Sequence, residues 1–198
     1  MKHLTVEHAN RCLNRAIFIA VIILCIGALA GCSSYPEASA SEMTTAGPII
    51  VNAGAVNYCK AHPKYCGRST RTDKLELTPE RWRVLNQVNE RVNASMRHVD
   101  DGEFDQWSHD DKPTGDCEDF ALRKRRELID AGWPAHVLLI ATAKIWTGEG
   151  HAVIVVVTDR GDYIMDNLQR YVVHWEDVSY EWIRKQSPRD GTRWEAVR

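Results

Sequence analysis

An apolar run from Ala16 to Ala30, preceded by the basic residues Lys2, Arg11 and Arg15, sets the first limit on how this chain folds. The run is short for a helix that spans a membrane, and a basic segment followed by an apolar run of this length is typical of an export signal. We therefore expect residues 1–31 to be a signal peptide that is removed on export. Only the remainder of the chain then belongs to the folded protein.

The apolar run ends in Leu29-Ala30-Gly31-Cys32, which resembles the lipobox of bacterial lipoprotein signals. Small residues before the cysteine suit a signal peptidase that cuts in front of it, so we predict that Cys32 carries lipid. Ser33 after it favours the outer membrane. An ordinary secretion signal cut further along and an uncleaved anchor are the alternatives. Residues 32–50, rich in Ser, Ala, Thr and Pro, are predicted to form a flexible tether.

The remaining residues, 51–198, have the length of one ordinary domain, and its first half carries helix signals. Thr78-Pro79-Glu80 is a good helix start, with Thr78 as N-cap. The apolar residues that follow at helical spacing are Leu85, Val88, Val92, Met96 and Val99. A second helix is predicted from Glu118 to about Ala131, with Gly132 as its stop. Its basic run, Arg123–Arg126, is expected on a solvent-exposed face.

The second half of the domain carries strand signals. Val137–Lys144 is rich in branched residues, and His151–Thr158 is a nearly pure Val, Ile and Ala run typical of a buried strand. Asp159-Arg160-Gly161-Asp162 predicts a hairpin that returns the chain into Tyr163–Asp166. Helices followed by antiparallel strands predict an α+β fold with helices packed on an antiparallel sheet.

Three cysteines remain after the signal peptide and the lipidated residue: Cys59, Cys66 and Cys117. In an oxidising compartment two of them should pair. Cys59 and Cys66 flank a short loop with a proline turn, so we predict a disulfide between them. Cys117 is then a lone thiol, which is a liability in such a compartment unless it is buried or used.

The lone thiol lies where a loop enters the second helix, in the sequence Gly115-Asp116-Cys117-Glu118-Asp119. Helix N-terminal N–H groups stabilise a thiolate and can form an oxyanion hole. His151 begins one strand and Asp166 ends the next one across the hairpin, so their side chains can meet. The sequence thus predicts Cys117 as nucleophile, His151 as base and Asp166 as the acid that orients it.

The acids Asp116, Glu118 and Asp119 should raise the pKa of Cys117, which opposes thiolate formation. Two interpretations remain open: the acids complement the helix dipole, or a hard cation gathers them. Zinc is disfavoured because the chain has no CxxC or HxxxH pair. A formal net charge of -2 argues against a nucleic-acid partner.

Three segments together resemble the bacterial transglutaminase-like cysteine proteinases: Gly115–Ala121, Gly150–Val153 and Met165–Leu168. The paired Asn86 and Asn89, and the segment that holds Cys59, His62, Pro63 and Cys66, also look like smaller members of that family. The resemblance covers roughly residues 57–175. It implies a papain-like, transglutaminase-type core and a cysteine peptidase in which Cys117, His151 and Asp166 form the triad.

The family includes periplasmic proteases that cut large surface adhesins and bind calcium through acids around the nucleophile. The resemblance therefore implies a possible calcium set at Asp116, Glu118 and Asp119, with no other cofactor required. It also implies a protein substrate in the cell envelope. The periplasmic, lipid-anchored location is predicted from the export signal and the lipobox, and the lipobox is not general in the family. The segment between the first helix and Gly115 lacks the fuller pattern of the adhesin proteases, so substrate and regulation are not carried over. An acyl transferase or amidase of the envelope and a non-catalytic binding module are the alternatives.

Overall fold

The computed structural model describes residues 35–37, 41–66, 68–100 and 106–198 of the chain. The predicted signal peptide and Cys32 lie outside these ranges. Within them, no helix combines the length and apolar character that crossing a membrane requires.

The described residues form four α-helices and nine strands, which are numbered here in chain order. The helices are α1 (Ala53–Ala61), α2 (Pro63–Cys66), α3 (Pro79–Ser95) and α4 (Cys117–Asp130). The strands are β1 (Thr45–Ile49), β2 (Arg97–His98), β3 (Thr114–Gly115), β4 (Leu138–Lys144), β5 (Gly150–Thr158), β6 (Gly161–Met165), β7 (Val173–His174), β8 (Glu181–Ser187) and β9 (Asp190–Val197). Short 3₁₀ helices cover Ala135–Val137 and Trp175–Asp177.

Seven of the described strands form one antiparallel sheet in the order β1-β9-β8-β4-β5-β6-β7. β5 lies between β4 and β6 in this sheet, and every residue from Ala152 to Val156 is buried, as the Val and Ile run predicts. The remaining two strands, β2 and β3, form a small parallel pair. The predicted α+β fold, with helices packed on an antiparallel sheet, is confirmed.

The predicted tether at residues 32–50 is too long, because residues 45–49 form strand β1. This strand pairs with β9 in the register Ile49↔Trp194 and supplies hydrogen-bond partners to what would otherwise be an exposed sheet edge. The preceding Met43 is buried, and its N–H donates to the carboxylate of Asp162 at 2.9 Å. The polar, small-residue composition concealed this strand.

Helix α3 begins as predicted and ends one turn early. The Thr78 hydroxyl accepts a hydrogen bond from the N–H of Arg81, which is the N-cap bond that the sequence predicts. The helix stops at Ser95 because the next residues leave it to pair with β3. The predicted apolar face therefore excludes Val99, whose side chain is exposed.

The basic run on α4 is not the solvent-exposed face that we expected. Lys124 is 0% exposed and Arg125 is 2% exposed. The Arg125 Nε donates to the backbone oxygen of Leu138 at 2.6 Å, so this guanidinium is held inside the protein. Lys124 is three residues after Ala121 and four before Leu128, both of which are buried. Helical geometry places the three on one face. Lys124 is therefore buried with its apolar neighbours, although it belongs to a run of charged residues.

The disulfide predicted between Cys59 and Cys66 is present, with their Cα atoms 5.3 Å apart. It joins α1 to α2, and the Cys66 backbone packs closely against Gly191 in β9. A Cβ atom at position 191 would lie 3.1 Å from the Cα of Cys66, so this close approach favours glycine. The small helical unit is thereby held against the sheet.

Candidate active site

A cleft of about 570 Å³ opens at the N-terminal end of α4. Its lining includes Cys117 from the start of α4 and His151 from the start of β5, so the structure brings these two predicted residues together. The acids Asp116, Glu118 and Glu149 lie in the same lining. A thiol, an imidazole and several carboxylates therefore share one solvent-accessible space.

Cys117 occupies the first helical position of α4, and the extended residue Asp116 precedes it as N-cap. Among the described residues it is the one free cysteine, and it is partly buried. Its Sγ donates a hydrogen bond to Oε2 of Glu118 at 3.3 Å. Burial raises the pKa of the thiol far above its ordinary value; Glu118 and Asp116 raise it further, and the N–H of Ala152 opposes them. The predicted effect of the acids is present, although burial is the largest cause.

His151 and Asp166 meet because β5 and β6 are adjacent antiparallel strands. The Nε2 atom of His151 lies 2.7 Å from Oδ1 of Asp166, and both side chains are buried. Burial by itself would raise the pKa of Asp166, but hydrogen bonds from His151, Tyr180 and the N–H of Leu168 hold it below the ordinary value. Asp166 is thus a carboxylate that remains ionised inside the protein.

Tyr180 is a residue of this site that the sequence did not reveal. Its hydroxyl donates to Oδ2 of Asp166 at 2.6 Å. Its ring meets the ring of His151 edge to face, with centroids 5.6 Å apart. Tyr180 therefore contacts both members of the pair and restricts how each can rotate. It lies between a 3₁₀ helix and β8, where no motif marks it.

Three asparagines on α3 hold the segment that follows Asp166. The side-chain amide of Asn93 donates to the backbone oxygens of Asp166, at 2.9 Å, and Gln169. Asn89 donates to the backbone oxygens of Gln169 and Arg170, and Asn86 accepts from the N–H of Val172. Asn86, Asn89 and Asn93 are spaced so that they share one helical face. That spacing is the signal in the sequence for this role, and it extends the pair Asn86 and Asn89 to Asn93.

The three acids of the possible calcium set are not gathered around one point. Oδ1 of Asp119 accepts a hydrogen bond from the N–H of Ser108 at 2.8 Å, so this carboxylate ties down the loop before α4. Asp116 and Glu118 line the cleft, where carboxylate oxygens suit calcium. Across the described ranges, no group of three or more His, Cys, Asp or Glu side chains is placed to hold a metal ion. The three-acid set is therefore not assembled here.

The fold and the cleft indicate a cysteine peptidase, because such enzymes place a thiol at a helix N-terminus beside an imidazole held by a side-chain acceptor. Residues 43–198 match the family described as bacterial transglutaminase-like cysteine proteinase, and the chain belongs to that family. The predicted family and enzyme class are confirmed. No curated protein matches the chain.

Solved structures of LapG from Legionella pneumophila are similar to this chain. The calcium-bound form has 23% sequence identity and a TM-score of 0.49, and the match covers 56% of this chain and 66% of LapG. The EGTA-treated form has 20% identity and a TM-score of 0.48, and the match covers 70% of this chain and 83% of that one. The first match thus spans just under two thirds of the LapG chain.

Proposed function

We propose that this chain is an exported peptidase that cleaves an amide bond in a protein of the cell envelope or surface. In this proposal Cys117 is the nucleophile, His151 the base and Asp166 the acid that orients the base. The observation that carries it is the 2.7 Å hydrogen bond between His151 and Asp166, because His151 lines the cleft that also contains the lone thiol. Family membership supports the reaction class.

The contact with Asp166 selects one tautomer of His151. An ionised carboxylate only accepts hydrogen bonds, so Nε2 of His151 carries the proton that faces Asp166. The lone pair then lies on Nδ1, which is the atom that takes a proton from a thiol. Tyr180 and the N–H of Leu168 hold the carboxylate in this orientation. The base is therefore prepared before substrate arrives.

The reaction follows from these positions. The Cys117 proton moves to Nδ1 of His151 while the sulfur attacks the amide carbon, and negative charge develops on the former carbonyl oxygen. N–H groups at the start of α4 stabilise that oxygen. The imidazolium then donates its proton to the departing amine, which leaves a thioester on Cys117. Water, deprotonated by His151, attacks the thioester and releases the carboxylic acid and the thiol.

The raised pKa of Cys117 makes the resting thiol neutral. Proton transfer to His151 is then coupled to substrate binding, which displaces water from the cleft. Calcium would act only on the charge around the thiol. Asp116 and Glu118 would hold the ion, and its charge would offset that of Glu118 near the thiol. No step of the amide cleavage passes through it.

The proposed location rests on the N-terminal sequence. Residues 1–31 direct export, Cys32 receives lipid, and the domain begins by Met43, a short distance further along the chain. The enzyme would then work close to the membrane surface in the periplasm. Its substrate is accordingly an envelope or surface protein.

Alkylation of Cys117 by iodoacetamide tests the nucleophile and base. The full-length chain, its His151→Ala variant and a His174→Ala control would be labelled across neutral pH, with the modified Cys117 peptide quantified by mass spectrometry. We expect His151→Ala to slow labelling at least tenfold at neutral pH and His174→Ala to leave it unchanged. Labelling that is equally slow in all three would support a binding module and reject the proposal.

Cleavage itself is tested by comparing envelope proteins incubated with the full-length chain or with its Cys117→Ser variant. New protein N-termini that depend on Cys117 would establish a peptidase. A labelled primary amine in the same reaction separates hydrolysis from acyl transfer, because a hydrolase leaves the amine unincorporated. Identical N-termini with both proteins would contradict the proposed function.

A further inference from the structure

The folded domain contacts its own N-terminal segment as early as Tyr35. The Tyr35 ring packs against the hydrophobic core, and the guanidinium of Arg160 lies over it, 4.9 Å from the ring centre. The Tyr35 hydroxyl donates a hydrogen bond to the backbone oxygen of Leu77. Tyr35 precedes residues 43–198, the part of the chain that matches the family. The chain is therefore attached to the fold before the family match begins.

A second attachment follows at Ser41 and Met43. The backbone oxygen of Ser41 accepts a hydrogen bond from the N–H of Asp162 at 3.1 Å, and the N–H of Met43 donates to the Asp162 carboxylate at 2.9 Å. The buried ammonium of Lys185 binds the Met43 backbone oxygen at 3.2 Å and the same carboxylate at 3.4 Å. Separating buried polar partners is costly, so these contacts fix the segment to the sheet.

Both attachments lie at the same end of β5 and β6, around the turn that joins the two strands. Arg160 belongs to that turn, and Leu77 is joined to it because its N–H donates to Oδ1 of Asp159 at 2.8 Å. Asp162 is the second residue of β6, directly after the turn. We call this part of the domain the anchor end; it is defined by Tyr35, Leu77 and residues 158–161.

The cleft lies at the opposite end of β5. His151, which lines the cleft, is the second residue of the strand, and Thr158 is the last. Between these two residues the strand rises about 23 Å, at roughly 3.3 Å per residue. The turn before β5 also belongs to the cleft end, since its last residue, Glu149, lines the cleft.

The length of chain between Cys32 and the anchor end is short. Tyr35 follows Cys32 by three residues, which span at most about 11 Å when fully extended. Lipid on Cys32 would hold the backbone of that residue at the membrane surface. Tyr35 would then stay within that distance of the lipid headgroups, which is about half the length of β5.

We propose that the lipidated protein rests on its own membrane through the anchor end, so that the cleft opens away from the bilayer, roughly 20 Å from the headgroups at the other end of β5. The inference rests on the proposed function, because it requires the lipid on Cys32. Lys74, Glu76 and Asp159 are exposed at or beside the anchor end. Charged side chains suit the polar headgroup layer and not the hydrocarbon.

This orientation restricts the substrate. A peptide bond at the membrane surface lies too far from Cys117, whereas a segment that extends from the membrane by about the length of β5 reaches it. The substrate is then an envelope or surface protein whose cleaved segment stands away from the bilayer that anchors the enzyme.

Fluorescence quenching in liposomes tests the orientation. The full-length chain, lipidated in a bacterial host, would carry Cys117→Ser and one introduced cysteine for a dye. Glu76→Cys labels the anchor end, because Glu76 lies between Leu75, which pairs with Thr158, and Leu77. Trp146→Cys labels the turn before β5, and both positions are strongly exposed.

The vesicles would contain phosphatidylethanolamine, phosphatidylglycerol and a lipid with a nitroxide on its headgroup, which quenches at short range. We expect quenching of about half or more at position 76 and of less than about a tenth at position 146, because the length of β5 separates the two ends. Equal quenching at both positions, or stronger quenching at position 146, would overturn the inference.

A flexible Gly and Ser insert between Ser34 and Tyr35 is the control for the short connection. An insert of about 20 residues has a mean end-to-end distance of about 25 Å, so quenching at position 76 should fall towards that at position 146. Unchanged quenching with the insert would overturn the inference, because the orientation would then not depend on the length of the chain.

Mass spectrometry of the N-terminal peptide separates this inference from the proposals on which it rests. A peptide without lipid on Cys32 would overturn both the orientation and the proposed location. Lipid on Cys32 with equal quenching would overturn the orientation alone. The proposed amide cleavage is independent of both results, because it is tested by the alkylation of Cys117.

Discussion

The Nε2 atom of His151 lies 2.7 Å from Oδ1 of Asp166, and the two side chains are 4% and 0% exposed. A hydrogen bond in so little contact with water is stronger than one at the surface, and it leaves the imidazole one orientation. Tyr180 holds the other carboxylate oxygen. The base is thus oriented by two residues, Asp166 and Tyr180, that are not part of the cleft lining.

Asp166→Asn should lower the rate of Cys117 alkylation at neutral pH by roughly 100-fold or more, because an amide NH₂ can donate to His151 and favour the wrong tautomer. The rate would be measured with iodoacetamide. Asp162→Asn is the matched control: Asp162 is buried on the preceding strand and contacts Lys185 rather than His151. It should lower the unfolding temperature and leave the rate unchanged. Equal rates in both variants would contradict the role of Asp166.

The same carboxylate should make stability depend on pH. The folded-state pKa of Asp166 lies below its ordinary value, so ionised Asp166 stabilises the fold above the unfolded-state pKa. That contribution is lost as the pH falls through the folded-state pKa. Urea unfolding at a series of acidic pH values should therefore show a shallower loss of stability in Asp166→Asn than in the parent. An equal loss of stability with falling pH in the two proteins would show that the hydrogen bonds to Asp166 do not stabilise the fold.

Tyr180→Phe removes one hydrogen bond to Asp166 and keeps the ring against His151. We expect about 1–3 kcal/mol less stability, since a buried hydrogen bond to a charged group is lost. Alkylation of Cys117 should slow about tenfold, as the carboxylate becomes free to rotate. Tyr163→Phe provides the comparison, because its hydroxyl donates to the Arg160 backbone away from the triad. If both variants alkylate like the parent, Tyr180 serves packing alone.

Much of the fold was readable because its signals are local. The N-cap of Thr78, the apolar run of β5 and the turn before β6 each act over a few residues, and each is found where the sequence predicts it. These same elements deliver the predicted His151 to the cleft. Asp166 follows because a hairpin fixes which residues of its two strands are adjacent.

The parts that were missed depend on distant partners. β1 is a strand only because β9, far along the chain, offers an edge to it. Lys124 has a side chain typical of the surface, and it is buried because distant parts of the chain pack against its side of α4. Tyr180 contacts Asp166 because the segment between β7 and β8 returns the chain to the site. No local pattern contains that information.

Glu118→Gln should accelerate Cys117 alkylation at neutral pH, because the carboxylate raises the thiol pKa and accepts its hydrogen bond. We expect about a tenfold increase, the equivalent of one pKa unit. Glu127→Gln, on the same helix but paired with Arg91, should leave the rate unchanged. Calcium should accelerate the parent, EGTA should reverse that effect, and neither should act on Glu118→Gln. A calcium response that persists in Glu118→Gln would place the ion elsewhere.

Gly115→Ala should disrupt the loop that precedes the nucleophile. A Cβ atom at this position would lie 2.5 Å from Oδ2 and 2.7 Å from the Cβ of Asp119, so the methyl group overlaps a side chain close to its own backbone. Asp119 cannot move away freely, because it is buried and its other oxygen binds the N–H of Ser108. Overpacking of this kind costs about 1–3 kcal/mol, to be measured by urea unfolding.

Gly150→Ala separates this local clash from the general effect of replacing a glycine by alanine near the active site. Gly150 lines the cleft, and a Cβ atom there would have no neighbour within 4 Å. Its stability should therefore change by less than about 0.5 kcal/mol. Because Asp119 joins the loop to the helix that presents Cys117, we expect only Gly115→Ala to slow alkylation. If both variants lose stability equally, the tie between Asp119 and Ser108 does not constrain the loop, and the nucleophile is positioned by α4 alone.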